Sequence, residues 1–181
     1  MEKDKKNFNK KVKMHLACAD DELRPALACI YFKNDFAYAS DGHILVRNRL
    51  SEISNFSEEE IQALDGKFLS AKSYKEILKY DDVLISEDGL ECSKGDDKVF
   101  FYFKNMQGTK YPNAEKIIEQ YLNKQTQSVY ETRFNIKLMS RMNEALHDAN
   151  SCKAIFKNDC IVFFSLNDTV SSVGLIMQIS Q

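Results

Sequence analysis

The predicted elements recur in one order, in which a strand and a helix are followed by three short strands, and this recurrence limits the folds that the chain can adopt. This order is predicted three times, over residues 12–50, 67–122 and 128–181. The tetrapeptide Phe-Lys-Asn-Asp stands in the first hairpin turn of two of these units, at 32–35 and 156–159. Recurrence of one supersecondary unit is typical of a duplicated architecture. The sequence therefore predicts an α+β fold of β-α-β-β-β units, each with one helix packed on antiparallel strands.

In the first unit, apolar residues alternate over 12–19, which predicts a half-buried strand. Asp20 then predicts the start of a helix that runs to Ile30. Three strands follow, and the Asp41-Gly42 turn joins the second to the third. The predicted strands are residues 30–32, 36–40 and 43–49.

The second and third units follow the same pattern. In the second, a strand at 67–69 precedes a helix capped by Ser70 or Ser73. In the third, a strand at 130–134 precedes a helix over 136–147. The strands predicted after these helices are 83–86, 90–93 and 98–104 in the second unit, and 154–156, 160–166 and 173–179 in the third.

The lysine-rich N-terminus and two polar stretches predict the domain organisation. Residues 1–11 carry five lysines and are predicted to be a disordered basic tail. Residues 12–122 are predicted to form one domain of two repeats, 12–50 and 67–122. The linker 51–66 joins them and carries a short helix after Ser57 that Gly66 would close. A polar connector over 123–127 leads to the third repeat, 128–181.

Cysteine count and charge exclude several classes of protein. The five cysteines form no CxxC pair or recognisable zinc pattern, so we predict free thiols and neither a metal nor a cofactor. The first residues are charged and lack the apolar core of a secretory signal, and the chain has no apolar run of membrane-spanning length. These observations predict a cytoplasmic protein. The net charge of -2 excludes a DNA-binding surface that covers the whole protein.

Few residues have the spacing that catalysis requires. Asp41 and His43 would share one face of a strand, as an acid–base pair does, but Asp41-Gly42 is more typical of a hairpin turn. The sequence contains no P-loop, no Rossmann fingerprint and no Gly-x-Ser-x-Gly motif. We therefore predict that the chain is not an enzyme. Four clustered aromatic residues are consistent either with stacking on single-stranded bases or with packing across strands: Tyr31, Phe32, Phe36 and Tyr38.

Four segments resemble, in the same order, motifs of the bacterial sliding clamp, the beta subunit of DNA polymerase III. The similarity extends over about residues 12–181, and in two places the family's usual residue is replaced: Gln178 stands for a proline and Ile44 for an arginine. The segments are 20–27 (DDELRPAL) with 39–43 (ASDGH), 68–78 (FLSAKSYKEIL), 108–118 (GTKYPNAEKII) and 171–179 (SSVGLIMQI).

The resemblance implies a DNA-clamp-like processivity protein that encircles or docks on duplex DNA without reading its sequence. In that family, helices line the hole of a ring and sheets form its outer rim. A complete clamp chain has six such units and three are predicted here, so the resemblance implies a homo-oligomer. The basic residues that the predicted helices would turn toward DNA are Arg24, Lys72, Lys75, Lys79, Lys137 and Arg141.

The resemblance also implies an apolar pocket that takes a short linear peptide from DNA polymerases and other clamp-binding proteins. The pocket residues carried over by the motifs are Gly42, His43, Leu45, Pro112, Met177 and Ile179. Two other functions stay open at this point. One is a clamp-fold adaptor that binds a protein partner without encircling DNA, and the other is a module that binds single-stranded nucleic acid.

Overall fold

The computed structural model describes residues 5–21, 23–126 and 132–179, which form ten strands and five helices. The strands are β1 (Cys29–Lys33), β2 (Phe36–Ser40), β3 (Ile44–Arg49), β4 (Phe68–Ser70), β5 (Asp82–Ile85), β6 (Gly89–Lys94), β7 (Asp97–Tyr102), β8 (Cys152–Phe156), β9 (Cys160–Ser165) and β10 (Val173–Met177). The helices are α1 (Leu50–Ile53), α2 (Glu58–Ala63), α3 (Ala71–Ile77), α4 (Ala114–Asn123) and α5 (Ile136–Ala145).

The strands form two sheets in which every pairing is antiparallel. One sheet has seven strands in the order β4-β1-β2-β3-β10-β9-β8, and the other has three, β5-β6-β7. The pairing of β3 with β10 joins the first and third predicted units into one sheet, with Leu45 opposite Leu175 and Ile44 opposite Ile176. This joint determines where the candidate site lies.

The face of the seven-stranded sheet that we call the inner face is covered by α3, α5 and a 3₁₀ turn over Met14–Ala17. Because side chains alternate along a strand, Ile44, Val46 and Ile176 point to this face and are buried. Helix α5 lies so close to β10 that a Cβ atom on Gly174 would stand 2.6 Å from the Sδ atom of Met142. A Cβ atom at position 174 could therefore be accommodated only if the Met142 side chain moved.

The opposite face, the outer face, is covered at the joint by α4. Ala114 and Ile118 of this helix pack in a second apolar cluster with Leu45 and Leu175. Helix α4 begins after Asn113, whose side chain accepts a hydrogen bond from the backbone N–H of Lys116. The sequence analysis did not predict this helix.

Two buried polar side chains fasten the third unit to the rest of the chain. Asn48 on β3 donates to the carbonyl of Ala145 at 2.8 Å and accepts from the N–H of His147 at 2.9 Å. Lys157, in the second Phe-Lys-Asn-Asp turn, donates to the carbonyls of Leu122 and Lys124 at the end of α4. A cation suits this position because the C-terminal carbonyls of a helix lack partners within it.

The second predicted unit has the predicted order β4-α3-β5-β6-β7, and Ser70 is the residue that caps its helix. Ser57 caps α2 with a reciprocal bond to Glu60, and Gly66 follows with a φ of +76°. In the third unit, α5 and β8 to β10 match the predicted elements. The strand predicted at 130–134 lies partly outside the described residues, and residues 132–135 are not in a strand.

The start of the first unit differs from the prediction. Residues 14–17 form a 3₁₀ turn instead of a strand, because Met14 and Ala17, three residues apart, are the side chains that are buried. The described residues between Asp20 and Ile30 do not form the predicted helix: residues 23–28 form turns and β1 begins at Cys29. Leu23 is 90% exposed, so no apolar face stabilises a helix there.

The predicted tail and linker are also corrected by the structure. Residues 5–11 pack on the body of the protein, because Phe8 is buried among Phe32, Phe56 and Tyr74 and pairs with Ser54. The linker 51–66 is part of the core, since its apolar side chains are buried: Ile53, Phe56, Ile61 and Leu64.

Candidate functional site

An apolar cavity of about 120 Å³ opens on the outer face at the joint between β3 and β10. The turn between β2 and β3 forms one wall, the end of β10 another, and the segment leading into α4 a third. Its lining residues are Leu27, Ser40, Gly42, His43, Ile44, Leu45, Tyr111, Pro112, Ala114, Ile117, Leu175 and Met177.

Five of the six residues predicted for the peptide pocket line this one cavity: Gly42, His43, Leu45, Pro112 and Met177. They come from three segments that are distant in sequence. The sixth, Ile179, lies beyond the end of β10, is 56% exposed and is outside the cavity lining. Its backbone N–H instead donates to the carbonyl of Arg133.

The turn that forms the first wall has the geometry of the predicted hairpin turn. One carboxylate oxygen of Asp41 accepts the backbone N–H groups of His43 at 2.8 Å and Ile44 at 3.0 Å. Gly42 has a φ of +94°, in the left-handed region that glycine adopts without strain. The interpretation of this motif as a turn is therefore confirmed, and the turn places the backbone of Gly42 at the edge of the cavity.

The sequence analysis missed several lining residues, of which Tyr111 is the most informative. Its ring stacks on Tyr31, with 5.0 Å between centroids, and its hydroxyl has no hydrogen-bond partner among the described residues. Burial raises the pKa of Tyr111 well above its ordinary value, so the phenol stays neutral. The resemblance could have indicated this residue, since Tyr111 immediately precedes Pro112 in the quoted motif.

Helix α4, which carries the third wall, is fixed to the sheet by a charged cluster. Glu115 accepts a hydrogen bond from the guanidinium of Arg47 at 2.9 Å and another from the hydroxyl of Tyr38. Burial, followed by the bond to Glu115, raises the pKa of Tyr38. These contacts fix Ala114 and Ile117 at the cavity.

The six basic residues predicted to face DNA fall into two groups. Lys72 and Lys75 on α3, Lys137 on α5 and Lys79 in the turn after α3 are exposed on the inner side, by which we mean the surface of the elements that cover the inner face. Lys79 pairs with Glu76 at 2.7 Å. Arg24 lies in a turn and donates to the backbone carbonyl of Asp41, and Arg141 is engaged with Asp41 and with two carbonyls. The guanidinium groups of Arg24 and Arg141 are thus hydrogen-bonded within the protein. Lys72, Lys75 and Lys137 are exposed and make no salt bridge among the described residues.

The 3₁₀ turn places two further basic side chains on the inner side. Lys13 precedes it and pairs with Glu144 at 2.5 Å, and His15 within it lies near both Lys13 and Lys75. Burial, and then the charges of Lys75 and Lys13, lower the pKa of His15. The sequence analysis assigned this segment to a strand and so did not count Lys13 with the helical lysines.

Within the described ranges, no three His, Cys, Asp or Glu side chains are placed to hold a metal ion together. The five cysteines are free thiols, and all except Cys152 are buried. Burial raises the pKa of Cys29 to about 11 and those of Cys92 and Cys160 to about 12. A search of the described helices for one long and apolar enough to cross a membrane finds none.

Helices packed on antiparallel strands, with the first and third units joined through β3 and β10, give this protein the α+β fold of bacterial sliding clamps. The DNA polymerase sliding clamp from Bacillus subtilis superposes with a TM-score of 0.66 at 15% identity, covering 100% of this chain and 66% of that chain. The H. pylori beta clamp, solved with diflunisal, gives 0.65 at 13% identity, covering 100% of this chain and 68% of the clamp.

The beta subunit of DNA polymerase III from Thermotoga maritima gives a TM-score of 0.60 at 11% identity, covering 97% of this chain and 64% of that subunit. This protein thus corresponds to about two thirds of the length of the solved clamps that it matches. No protein-family profile matches the sequence. No curated protein matches it either. The solved structures therefore establish the fold of the chain.

Proposed function

We propose that this chain is a clamp-like tethering protein that holds replication proteins through the apolar cavity and docks on duplex DNA through its inner side. One observation carries the proposal: five residues predicted from clamp motifs, on three distant segments, line a single cavity. The role is one of binding and requires no catalytic group. The partners we propose are DNA polymerases and other clamp-binding proteins, together with duplex DNA of any sequence.

The size and chemistry of the cavity support the binding of one apolar side chain of a peptide. A cavity of about 150 Å³ lined by aliphatic side chains holds a benzene molecule in another protein, so about 120 Å³ suits a Leu or Met side chain. Burial of such a side chain contributes about 1.5–3 kcal/mol. Met177 lets the wall adapt to different anchors, because its thioether chain is flexible.

The inner side supports weak and sequence-independent contact with DNA. Lys72, Lys75 and Lys137 are exposed and make no salt bridge among the described residues. Phosphate contacts of this kind carry no sequence information and weaken with added salt. An assembly of several chains would let these contacts act on enclosed DNA, which is why we propose a homo-oligomer.

A labelled peptide from the clamp-binding segment of a bacterial DNA polymerase tests the pocket by fluorescence polarisation. We expect saturable binding that an unlabelled copy of the peptide reverses. Absence of saturation at peptide concentrations up to about 1 mM, which corresponds to only about 4 kcal/mol of binding, would reject peptide binding.

Retention on DNA tests the tethering role separately. If the protein assembles around duplex DNA, closed circles retain it and linear duplex of the same sequence releases it. Light scattering on the same preparation reports the assembly, and a strict monomer at micromolar concentration would exclude the homo-oligomeric ring.

The alternative of a clamp-fold adaptor without DNA binding is favoured by one observation. Two of the six predicted DNA-facing residues, Arg24 and Arg141, donate their hydrogen bonds within the protein. An adaptor would bind the peptide and ignore both circular and linear DNA. A single-strand-binding module has less support, because Phe32 and Tyr38 are buried and cannot stack on bases.

A further inference from the structure

The carboxylate of Asp41 connects the pocket to the interior of the protein. It is only 8% exposed, and one of its oxygens holds the N–H groups of His43 and Ile44, as described above. Gly42 and His43 form a wall of the cavity, so the position of this carboxylate determines the shape of that wall. The second oxygen of Asp41 points away from the turn and needs a donor of its own.

Arg141 on α5 supplies that donor. One terminal nitrogen of its guanidinium lies 2.6 Å from the free carboxylate oxygen of Asp41. Its Nε atom donates to the carbonyl of Leu16 at 2.7 Å, and the other terminal nitrogen donates to the carbonyl of Cys18 at 3.3 Å. Three acceptors on two segments therefore fix the planar group, which in turn fixes Asp41.

Arg24 holds the same turn from the other side. Its guanidinium donates to the backbone carbonyl of Asp41 at 2.8 Å. The same nitrogen lies 3.0 Å from where a Cβ atom on Gly42 would stand. The turn is thus held between two arginines, of which Arg141 comes from the third unit and is 100 residues away in sequence.

We propose that Arg141 is a positioning residue for the peptide pocket: through Asp41 it keeps the Gly42-His43 wall in the shape that accepts a peptide. This inference rests on the proposed peptide binding. It assigns to α5, a helix of the inner side, control over a site on the outer face. Arg141 lies behind the cavity wall and does not line the cavity, so its effect on affinity is indirect.

The test compares Arg141→Met with Lys153→Met, which removes an exposed charge from β8 of the same unit. We expect Arg141→Met to weaken binding of the labelled polymerase peptide about tenfold or more, the factor that corresponds to 1.4 kcal/mol. We expect Lys153→Met to bind the peptide within about twofold of the unchanged protein. In amide hydrogen exchange, His43 and Ile44 should lose protection in Arg141→Met, while strand amides of β9 should keep theirs.

Two further variants separate positioning from general stability. Arg141→Lys keeps a charge beside Asp41 but loses the forked donors, so we expect an affinity between those of Arg141→Met and the unchanged protein. Asp41→Asn replaces the carboxylate of the ion pair with a neutral amide, so adding Arg141→Met to it should weaken binding less than Arg141→Met does alone. Arg141→Lys also tests the role of Arg141 if Arg141→Met does not fold.

A folded Arg141→Met variant with unchanged peptide affinity and unchanged exchange at His43 and Ile44 would overturn the inference. Failure of the proposed function gives a different result, because the unchanged protein would then not bind the peptide at all. In that case, loss of protection at His43 and Ile44 in Arg141→Met would still support control of the turn by this residue, and retained protection would reject it.

Discussion

The two faces of the seven-stranded sheet differ most where β3 meets β10. On the inner face, the side chains of Ile44 and Ile176 are covered by helices and buried in the main core. On the outer face, Leu45 and Leu175 are covered by α4 but still border an open cavity. The same two strands supply both pairs, because successive side chains point to opposite faces.

This difference separates stability from binding. A change on the inner face disturbs the packing that joins the first and third units, so it should mainly reduce the free energy of unfolding. A substitution at the cavity alters side chains that border open space, so it should mainly reduce the affinity for the peptide. Substitutions on the outer face and on the inner side should therefore have different effects.

The largest effect is expected on the outer face from Met177→Asp. A carboxylate in the apolar cavity would lose its hydration without gaining a partner, so peptide binding should fall below detection. The fold should remain, because Met177 is only partly buried at the end of its strand. Ile179→Asp is the matched control, since Ile179 is two residues further along and outside the cavity lining. Unchanged peptide affinity in Met177→Asp would show that this cavity is not the peptide-binding pocket.

On the inner side, the pair Lys72→Gln and Lys75→Gln should weaken binding to duplex DNA and leave peptide binding unchanged. Each lost phosphate contact lowers the slope of log K against log salt by about 0.9, so we expect a slope smaller by about 1.8. The control carries Lys110→Gln and Lys116→Gln, two exposed lysines at the α4 side of the sheet. Equal effects of the two pairs would contradict a specific inner DNA surface.

Gly174→Ala tests how closely α5 packs on the inner face. Its new methyl group would meet the Sδ atom of Met142, so we expect a loss of about 1–3 kcal/mol in the free energy of unfolding. Urea denaturation measures this loss. Met142→Ala should reduce the free energy of unfolding less in the Gly174→Ala protein than in the unchanged protein, because the two side chains compete for one space. Strict additivity would contradict the close contact.

The smallest effect concerns His15, also on the inner side. Its pKa is lowered in the folded protein, by burial first, so the unfolded chain takes up a proton more readily as pH falls below the ordinary value of 6.5. The contribution of neutral His15 to the free energy of unfolding is therefore complete above pH 6.5. It is lost as the pH falls from 6.5 toward the pKa of His15 in the folded protein. His15→Gln should reduce the change in Tm between about pH 7 and pH 5. If the change in Tm with pH were the same in His15→Gln, protonation of His15 would not be linked to folding.

Local patterns were sufficient to predict much of this fold. The Asp41-Gly42 turn, the hairpin strands of all three units and the caps at Ser57 and Ser70 depend on neighbouring residues, and the structure contains them. The same is true of the helix that became α5. Such signals survive because the backbone geometry that each requires is set within a few residues.

The errors arose where distant contacts decide the local structure. The alternation over residues 12–19 predicted a strand, but α3 and α5 bury Met14 and Ala17 and favour a 3₁₀ turn. Helix α4 has apolar Ala114, Ile117 and Ile118 at helical spacing, a signal that was present but was read only as a clamp motif. The bond between Asp41 and Arg141 spans 100 residues, so no local pattern could predict it.

Nuclear magnetic resonance of the labelled protein shows at which residues the polymerase peptide binds, and so tests whether peptide and DNA use different faces. We predict that added peptide shifts the backbone amides of Gly42, His43, Leu45 and Met177, while those of α3 and β6 stay in place. Added duplex DNA should shift amides of α3 instead. If the peptide moved α3 and left the amides around the cavity unchanged, the separation of the two faces would be wrong.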